Sequence, residues 1–237
     1  PVMFGRLHVA PVVGAFLAAH PEVVIELLLL DRNVDLVEEG IDLAVRTGAL
    51  EDSSLVARPV GRTSRVACAS PAYLRKHGAP KAPSDLTAHK TIAFSGLGSR
   101  WTFSGKQRVA IRPTLLTNQV DAAIAACVDG LACGQFLSYQ VEALLAAGRV
   151  DVALEANRVL RDLLAQPTPA QACERPYVEF GMVLWAAGKL KRVLAEYAPP
   201  PMPIHVIYPQ ARQRSINVRT FADFAVPQLM KASRERR

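Results

Sequence analysis

The run Val23-Val24-Ile25-Glu26-Leu27-Leu28-Leu29-Leu30 is nearly continuous in branched apolar residues, the pattern of a strand covered on both faces. Asp31-Arg32-Asn33 offers capping chemistry for a short helix over 34–39, which Gly40 ends, and Ile41 to Arg46 reads as the next strand, closed by Gly48. Strand, helix and strand in that order predict a βαβ unit and a parallel sheet. Ahead of it, proline chemistry places a helix start at Pro11, with Leu7 to Ala10 extended. A further apolar run, Arg65 to Ala69, meets Ser70-Pro71, an N-cap followed by proline at the first helical position, and predicts a helix to about His77.

Between Lys81 and Pro113 the chain reads as loop-rich, with short strand-like pieces at Thr91 to Phe94, Trp101 to Phe103 and Gln107 to Ile111. Thr114 to Thr117 predicts a strand, Asn118 a cap, and Gln119 to Asp129 an Ala-rich helix stopped by Gly130. Leu131 to Leu137 is a strand, and Ser138 caps a helix through Ala147, which makes a second α/β lobe. Late in the chain, Met202 to Pro209 reads as a proline-punctuated strand. A helix follows from Ser215 toward Leu229, with Val218, Phe221, Phe224 and Ala225 on one buried face. Two lobes with a strand and helix left over imply that the chain crosses to a second lobe and returns, with a cleft between the lobes.

Composition narrows the class. The 237 residues are 50% hydrophobic and 21% charged, ample for a core and too apolar for disorder. No uninterrupted apolar run approaches the roughly 20 residues of a membrane-spanning helix. The Pro-Val-Met-Phe-Gly-Arg start has neither an initiating Met nor a secretion signal, and reads as an internal point of a longer chain. Of the net charge of +7, the last 26 positions hold +5, so the excess reads as a solvated tail rather than a nucleic-acid face. Cys68, Cys127, Cys133 and Cys173 show neither C-x-x-C spacing nor a dense framework, which predicts a reduced, cytoplasmic protein.

Several segments stand in a recognisable order: Gly5-Arg6-Leu7-His8-Val9-Ala10-Pro11, Leu36 to Arg46, Asp52 to Arg58, Cys68-Ala69-Ser70-Pro71-Ala72-Tyr73-Leu74, Leu137 to Val141, and Val206-Ile207-Tyr208-Pro209 leading to Val218 to Phe224. Together they resemble the effector-binding domain of LysR-type transcriptional regulators. The resemblance implies an α/β fold of the periplasmic-binding-protein-like type II, with two Rossmann-like lobes joined by two crossover segments, at Cys68 to Ser70 and Ile204 to Pro209. The lobes would be residues 1–68 plus 206–237 and residues 70–203. It also starts the first helix near Gly5. His8, Val12 and Ala15, with Val9, Val13 and Phe16, then keep helical spacing, so this start is preferred to Pro11.

Three departures from the family stand out. The N-terminal winged helix-turn-helix, the linker helix and the strand expected just before Val2 are absent. Ala146-Ala147-Gly148-Arg149-Val150 nearly repeats as Ala186-Ala187-Gly188-Lys189-Leu190, which marks an insert at about 151–188. Ala132 stands where the family often has glycine.

Helix starts and strand ends facing such a cleft attract an anion. On this basis Met3, Phe4, Arg46, Thr47, Ser70, Phe94, Ser95, Asn118, Leu137 and Ser138 are the candidate ligand-binding residues. Ordinary capping explains the serines and Asn118 equally well, and an ion pair with Asp31 or Glu51 is the alternative for Arg46. Trp101 and Phe103 read as core, and Cys127 and Cys133 as small buried residues.

The five histidines are isolated, and there is no G-x-S-x-G, Walker loop or G-x-G-x-x-G, so neither a metal, a cofactor nor an enzyme is predicted. The expected function is sensing of a small anionic or aromatic inducer in the interlobe cleft. The expected assembly is a homodimer or homotetramer that touches DNA only through the missing N-terminal domain and touches no membrane. The alternative is a solute-binding protein of a transport system.

Overall fold

The computed structural model describes residues 1–50, 54–94, 100–145 and 188–234. The expected insert at 151–188, apart from Gly188, and Ser95 and Cys173 lie outside them. The chain divides into unit 1, Pro1–Ser64 with Pro200–Arg237, and unit 2, Arg65–Pro199. The chain therefore passes between units at Ser64/Arg65 and Pro199/Pro200, several residues before the crossovers expected at Cys68 to Ser70 and Ile204 to Pro209.

Unit 1 opens with helix α1, Val2–Ala19. Leu7 to Ala10 are helical, as the spacing of His8, Val12 and Ala15 demands, and Pro11 lies inside the helix. The helix absorbs the proline by a widened π turn over Gly5–Val9, where Ala10 N–H donates to Gly5 O, five residues back. By length and composition α1 could cross a membrane, with mean hydropathy 1.6 over its 18 residues, contrary to the expectation from run length alone. A core helix meets the same test, and Met3, Phe4, Val9, Val12, Val13 and Phe16 are all buried.

The sheet of unit 1 has the order β1-β10-β2, from β1 (Ala44–Thr47), β10 (Met202–Pro209) and β2 (Leu55–Thr63). Both pairings are antiparallel. The parallel βαβ unit expected over 23–46 is therefore not formed. Residues 23–30 form no ladder among the described residues, and 36–40 form a single turn. The capping comes from Asp35, whose Oδ1 accepts from Val37 N at 2.9 Å and Glu38 N at 3.0 Å. Asp31 instead accepts from Val2 N at 3.0 Å, and Arg32 grips Glu39 through two bonds of 2.8 and 2.7 Å. The returning helix α5, Ile216–Arg234, packs on β2 and α1, with Val218 and Ala222 against Tyr208, Leu43 and Val56.

Unit 2 is built on a five-stranded sheet of order β7-β4-β8-β3-β9. The strands are β3 (Arg65–Ala69), β4 (Thr91–Phe94), β7 (Pro113–Thr117), β8 (Cys133–Leu137) and β9 (Lys191–Val193). β4 is parallel to β7 and β8, whereas β3 runs antiparallel to β8 and β9. Helices α2 (Pro71–His77), α3 (Val120–Val128) and α4 (Ser138–Leu145) follow strands as the sequence predicts. The hairpin β5–β6 (Arg100–Thr102, Arg108–Ala110) contributes Trp101 and Val109 to the core, beside Phe103, Leu86, Tyr73 and Cys133.

Tyr73 anchors that core. Its hydroxyl accepts from Lys90 N at 3.0 Å and lies 3.2 Å from His89 Nδ1. Burial, with the charge of Cys133 second, pushes its pKa up to about 12. The buried Cys68 and Cys127 lie side by side. The Cys127 thiol donates to Cys68 O at 3.5 Å, and the hydrogen bond to Cys127, with burial, drives the Cys68 thiol well above its usual range. The Cys68 thiol is thus held protonated, and the burial of both residues matches small core residues rather than reactive ones.

Candidate functional site

In unit 2 the parallel strands bring their carboxyl ends to one end of the sheet, the place where open α/β sheets bind ligands. Phe94 ends β4 and is paired with Thr117 at the end of β7, after which Asn118 stands exposed. Thr91 and Ile92 pair with Cys133 and Gly134, so the end of β8, Leu137, emerges at the same level, with Ser138 opening α4 directly after it. The predicted Phe94, Asn118, Leu137 and Ser138 are thus brought to one end of unit 2.

The capping details differ from expectation. α3 begins at Val120 with Gln119 as its cap residue, and Thr117 Oγ1 accepts from Gln119 N at 3.0 Å, so Asn118 is not the cap. At α4, Gln140 Oε1 reaches back to accept from Leu137 N at 2.8 Å.

Ser70 does not join this group. Because β3 runs antiparallel to β8, Arg65 is the residue beside Leu137, and Ala69 lies at the far end of the strand. Four steps at about 3.3 Å separate the two ends by about 13 Å, too far for one small ligand to reach both Ser70 and Leu137. Ser70 is 2% exposed, and its Oγ accepts from Tyr73 N at 3.2 Å, the N-cap bond of α2. The hydroxyl is also closed in by Gly130, which has φ +85°, and a Cβ there would stand 3.2 Å from it. Ser70→Ala is therefore expected to lower unfolding stability by about 1 kcal/mol and to leave effector affinity unchanged. Chemical denaturation and ligand titration of the variant check the two halves separately.

In unit 1, Met3 and Phe4 lie within the first turn of α1 rather than in a loop. Both are buried, with the Phe4 ring 4.7 Å from that of His8. Arg46 and Thr47 end β1, paired with His205 and Ile204 of β10. Arg46 makes no ion pair among the described residues, and Asp31, one of its two suggested partners, is taken by Val2 N. Glu51 lies outside the described residues. Thr47 Oγ1 and His205 Nδ1 are buried without a hydrogen-bond partner among the described residues.

Sequence reasoning missed Arg65. It is half-buried at the start of β3, and burial alone holds its guanidinium below the usual range, with no carboxylate opposing the shift. The available signal was a cation opening the otherwise apolar run Val66-Ala67-Cys68-Ala69.

The model of the LysR substrate binding domain family matches residues 1–165. An HTH-type transcriptional regulator of Haemophilus influenzae is 29% identical over 92% of this chain and 64% of its own length. The regulator YhjC of Escherichia coli is 32% identical over 78% of this chain and 64% of its own. The solved regulatory domain of AphB from Vibrio vulnificus has a TM-score of 0.66 at 22% identity, covering 94% of this chain and 93% of that one. The regulatory domain of CrgA from Neisseria meningitidis has a TM-score of 0.66 at 23% identity, covering 96% and 94%.

The chain belongs to the LysR substrate-binding domain family and has its periplasmic-binding-protein-like type II fold. It is an effector-binding domain of the LysR type, and the two curated relatives described are transcriptional regulators. It spans about 64% of the length of the two curated relatives described.

Proposed function

We propose that the chain is the sensory part of a longer cytoplasmic transcriptional regulator, in which a small anionic or aromatic effector biases a homodimer or homotetramer on DNA. The observation that carries this reading is the convergence of the carboxyl ends of β4, β7 and β8 in unit 2. There Phe94 and Leu137 offer apolar wall, Asn118 and Ser138 polar contacts, and Arg65 a cation. Arg46 and Thr47 are the groups we propose for effector binding in unit 1, because they hold a cation and a buried hydroxyl without partners among the described residues. DNA contact belongs to residues outside this chain, since its charge excess lies in a terminal segment.

The test is a thermal-shift screen of the purified chain against small carboxylates, aromatic acids and their neutral analogues. A ligand at a hundredfold excess over Kd is expected to stabilise by about 2.7 kcal/mol and to raise the midpoint accordingly. A screen in which no compound of either charge class raises the midpoint would sink the effector-binding reading.

A further inference from the structure

Arg65 and Gln135 lie on the same face of the unit 2 sheet. Arg65 is directly opposite Leu137 and Ala67 opposite Gln135, and directly opposed residues of an antiparallel pair project to one side. Both leave a polar group unanswered. The Arg65 guanidinium, taken partly out of water, has no hydrogen bond or ion pair among the described residues, although a guanidinium offers five donors suited to a carboxylate. Gln135 is 4% exposed, and its Nε2 donates to Thr102 O at 3.4 Å. That bond fixes the amide so that Oε1 is the atom left over, buried and without a donor among the described residues. Buried polar groups normally find partners, and two left open on one face, one cationic and one accepting, describe a complementary molecule.

We propose that Arg65 is the anion-recognition residue of unit 2, taking the carboxylate of a small acid whose own hydrogen-bond donor is received by Gln135 Oε1. This rests on the effector-binding reading and adds to it the charge of the effector and the residue that reads it. Diagonal neighbours on a sheet stand about 7–8 Å apart, so the two groups of the acid belong at opposite ends of a ring-sized apolar body. The face supplies the apolar contact from Leu137, which is 8% exposed.

The probe that follows from these features is para-hydroxybenzoate, with para-hydroxybenzamide as its neutral counterpart. In calorimetric titration of the 237-residue chain, the acid is expected to bind at least about tenfold tighter than the amide, the scale of one hydrogen bond to a charged group. Arg65→Gln is expected to weaken the acid by about tenfold or more and to bring the acid-to-amide ratio to about one, while amide binding stays as it was. Arg65→Lys, which keeps the charge without the planar fork, is expected to retain part of the ratio, so a folding defect in the first variant does not hide the answer.

An unchanged ratio in Arg65→Gln, or no binding of the acid to the unaltered chain, overturns the proposal. A neutral compound from the thermal-shift screen that binds the unaltered chain and Arg65→Gln equally would overturn it too, and would leave the effector-binding reading standing.

Discussion

Replacing Phe16 by alanine is expected to lower the unfolding free energy of the chain by about 3–5 kcal/mol, against a typical total of about 5–15 kcal/mol. Phe16 is 1% exposed and sits where α1 meets α5. Its ring meets Phe221 edge-on at 5.1 Å and 87°, meets Phe224 at 5.3 Å and 68°, and lies 4.4 Å from His20. Truncation loses the transfer energy of a whole ring and opens a cavity between two helices that can close only by shifting both. The nearby ion pair of Arg58 with Asp223, at 2.6 Å, joins the same helix to β2. Asp223 is 71% exposed there, so that pair contributes about 0–1 kcal/mol. The aromatic cluster, not the charge pair, holds the returning helix on unit 1. Urea denaturation should show a lower midpoint with an unchanged slope in Phe16→Ala. A loss below about 1 kcal/mol would mean that α5 is held by something other than this cluster.

The parts of the fold legible in the sequence are those set by local chemistry. Ser70-Pro71 gave the start of α2 because a cap and an N1 proline act within one turn, and the observed Ser70 Oγ bond to Tyr73 N is that cap. Gly130, with φ +85°, ends the helix segment before β8 as its residue type requires. Pro11 misled by composition alone, because a π turn inside α1 accommodates a proline that simple rules place at a helix start.

What local pattern could not carry was the direction and neighbourhood of strands. β3 runs antiparallel to β8, which decides that Arg65 rather than Ser70 stands beside Leu137, and no residue in Arg65 to Ala69 encodes that choice. The candidate site was therefore legible at the ends of the parallel strands, where Phe94, Asn118, Leu137 and Ser138 follow from the α/β rule. It was illegible at Ser70 and Arg65, where the answer depends on a pairing partner some 70 residues away in the chain, at Leu137.

The backbone amides of residues 24–30 are expected to exchange with solvent deuterium close to the rate of an unstructured chain. Those of Val206 and Ile207 in β10 should exchange orders of magnitude more slowly, up to the limit set by global unfolding. β10 is the central strand of its sheet, with β1 on one side and β2 on the other, and both residues are fully buried. Residues 24–30 have the composition of a strand but no ladder among the described residues. Val23 N donates to His20 O at 3.1 Å, and the backbone beyond it, to residue 30, has no sheet partner among the described residues.

Between Val23 and Asp31, which are tied by hydrogen bonds to His20 and Val2, the segment is held among the described residues by side-chain packing. Val23, Ile25 and Leu29 are half-buried, with Leu29 lying where a Cβ on Gly5 of α1 would fall, while Val24 is 94% and Leu28 54% exposed. Packing one side of a strand against a helix holds side chains in place without protecting N–H groups, and a strand's stability comes from cross-strand pairs that are missing here. An apolar, unpaired edge is also the element that natural sheets blunt or cover, so its amides should gain protection at high protein concentration if copies meet along it. Hydrogen–deuterium exchange read peptide by peptide at low concentration decides the matter. Protection over 24–30 equal to that of β10 would show that the run is paired in solution, as its apolar pattern first suggested.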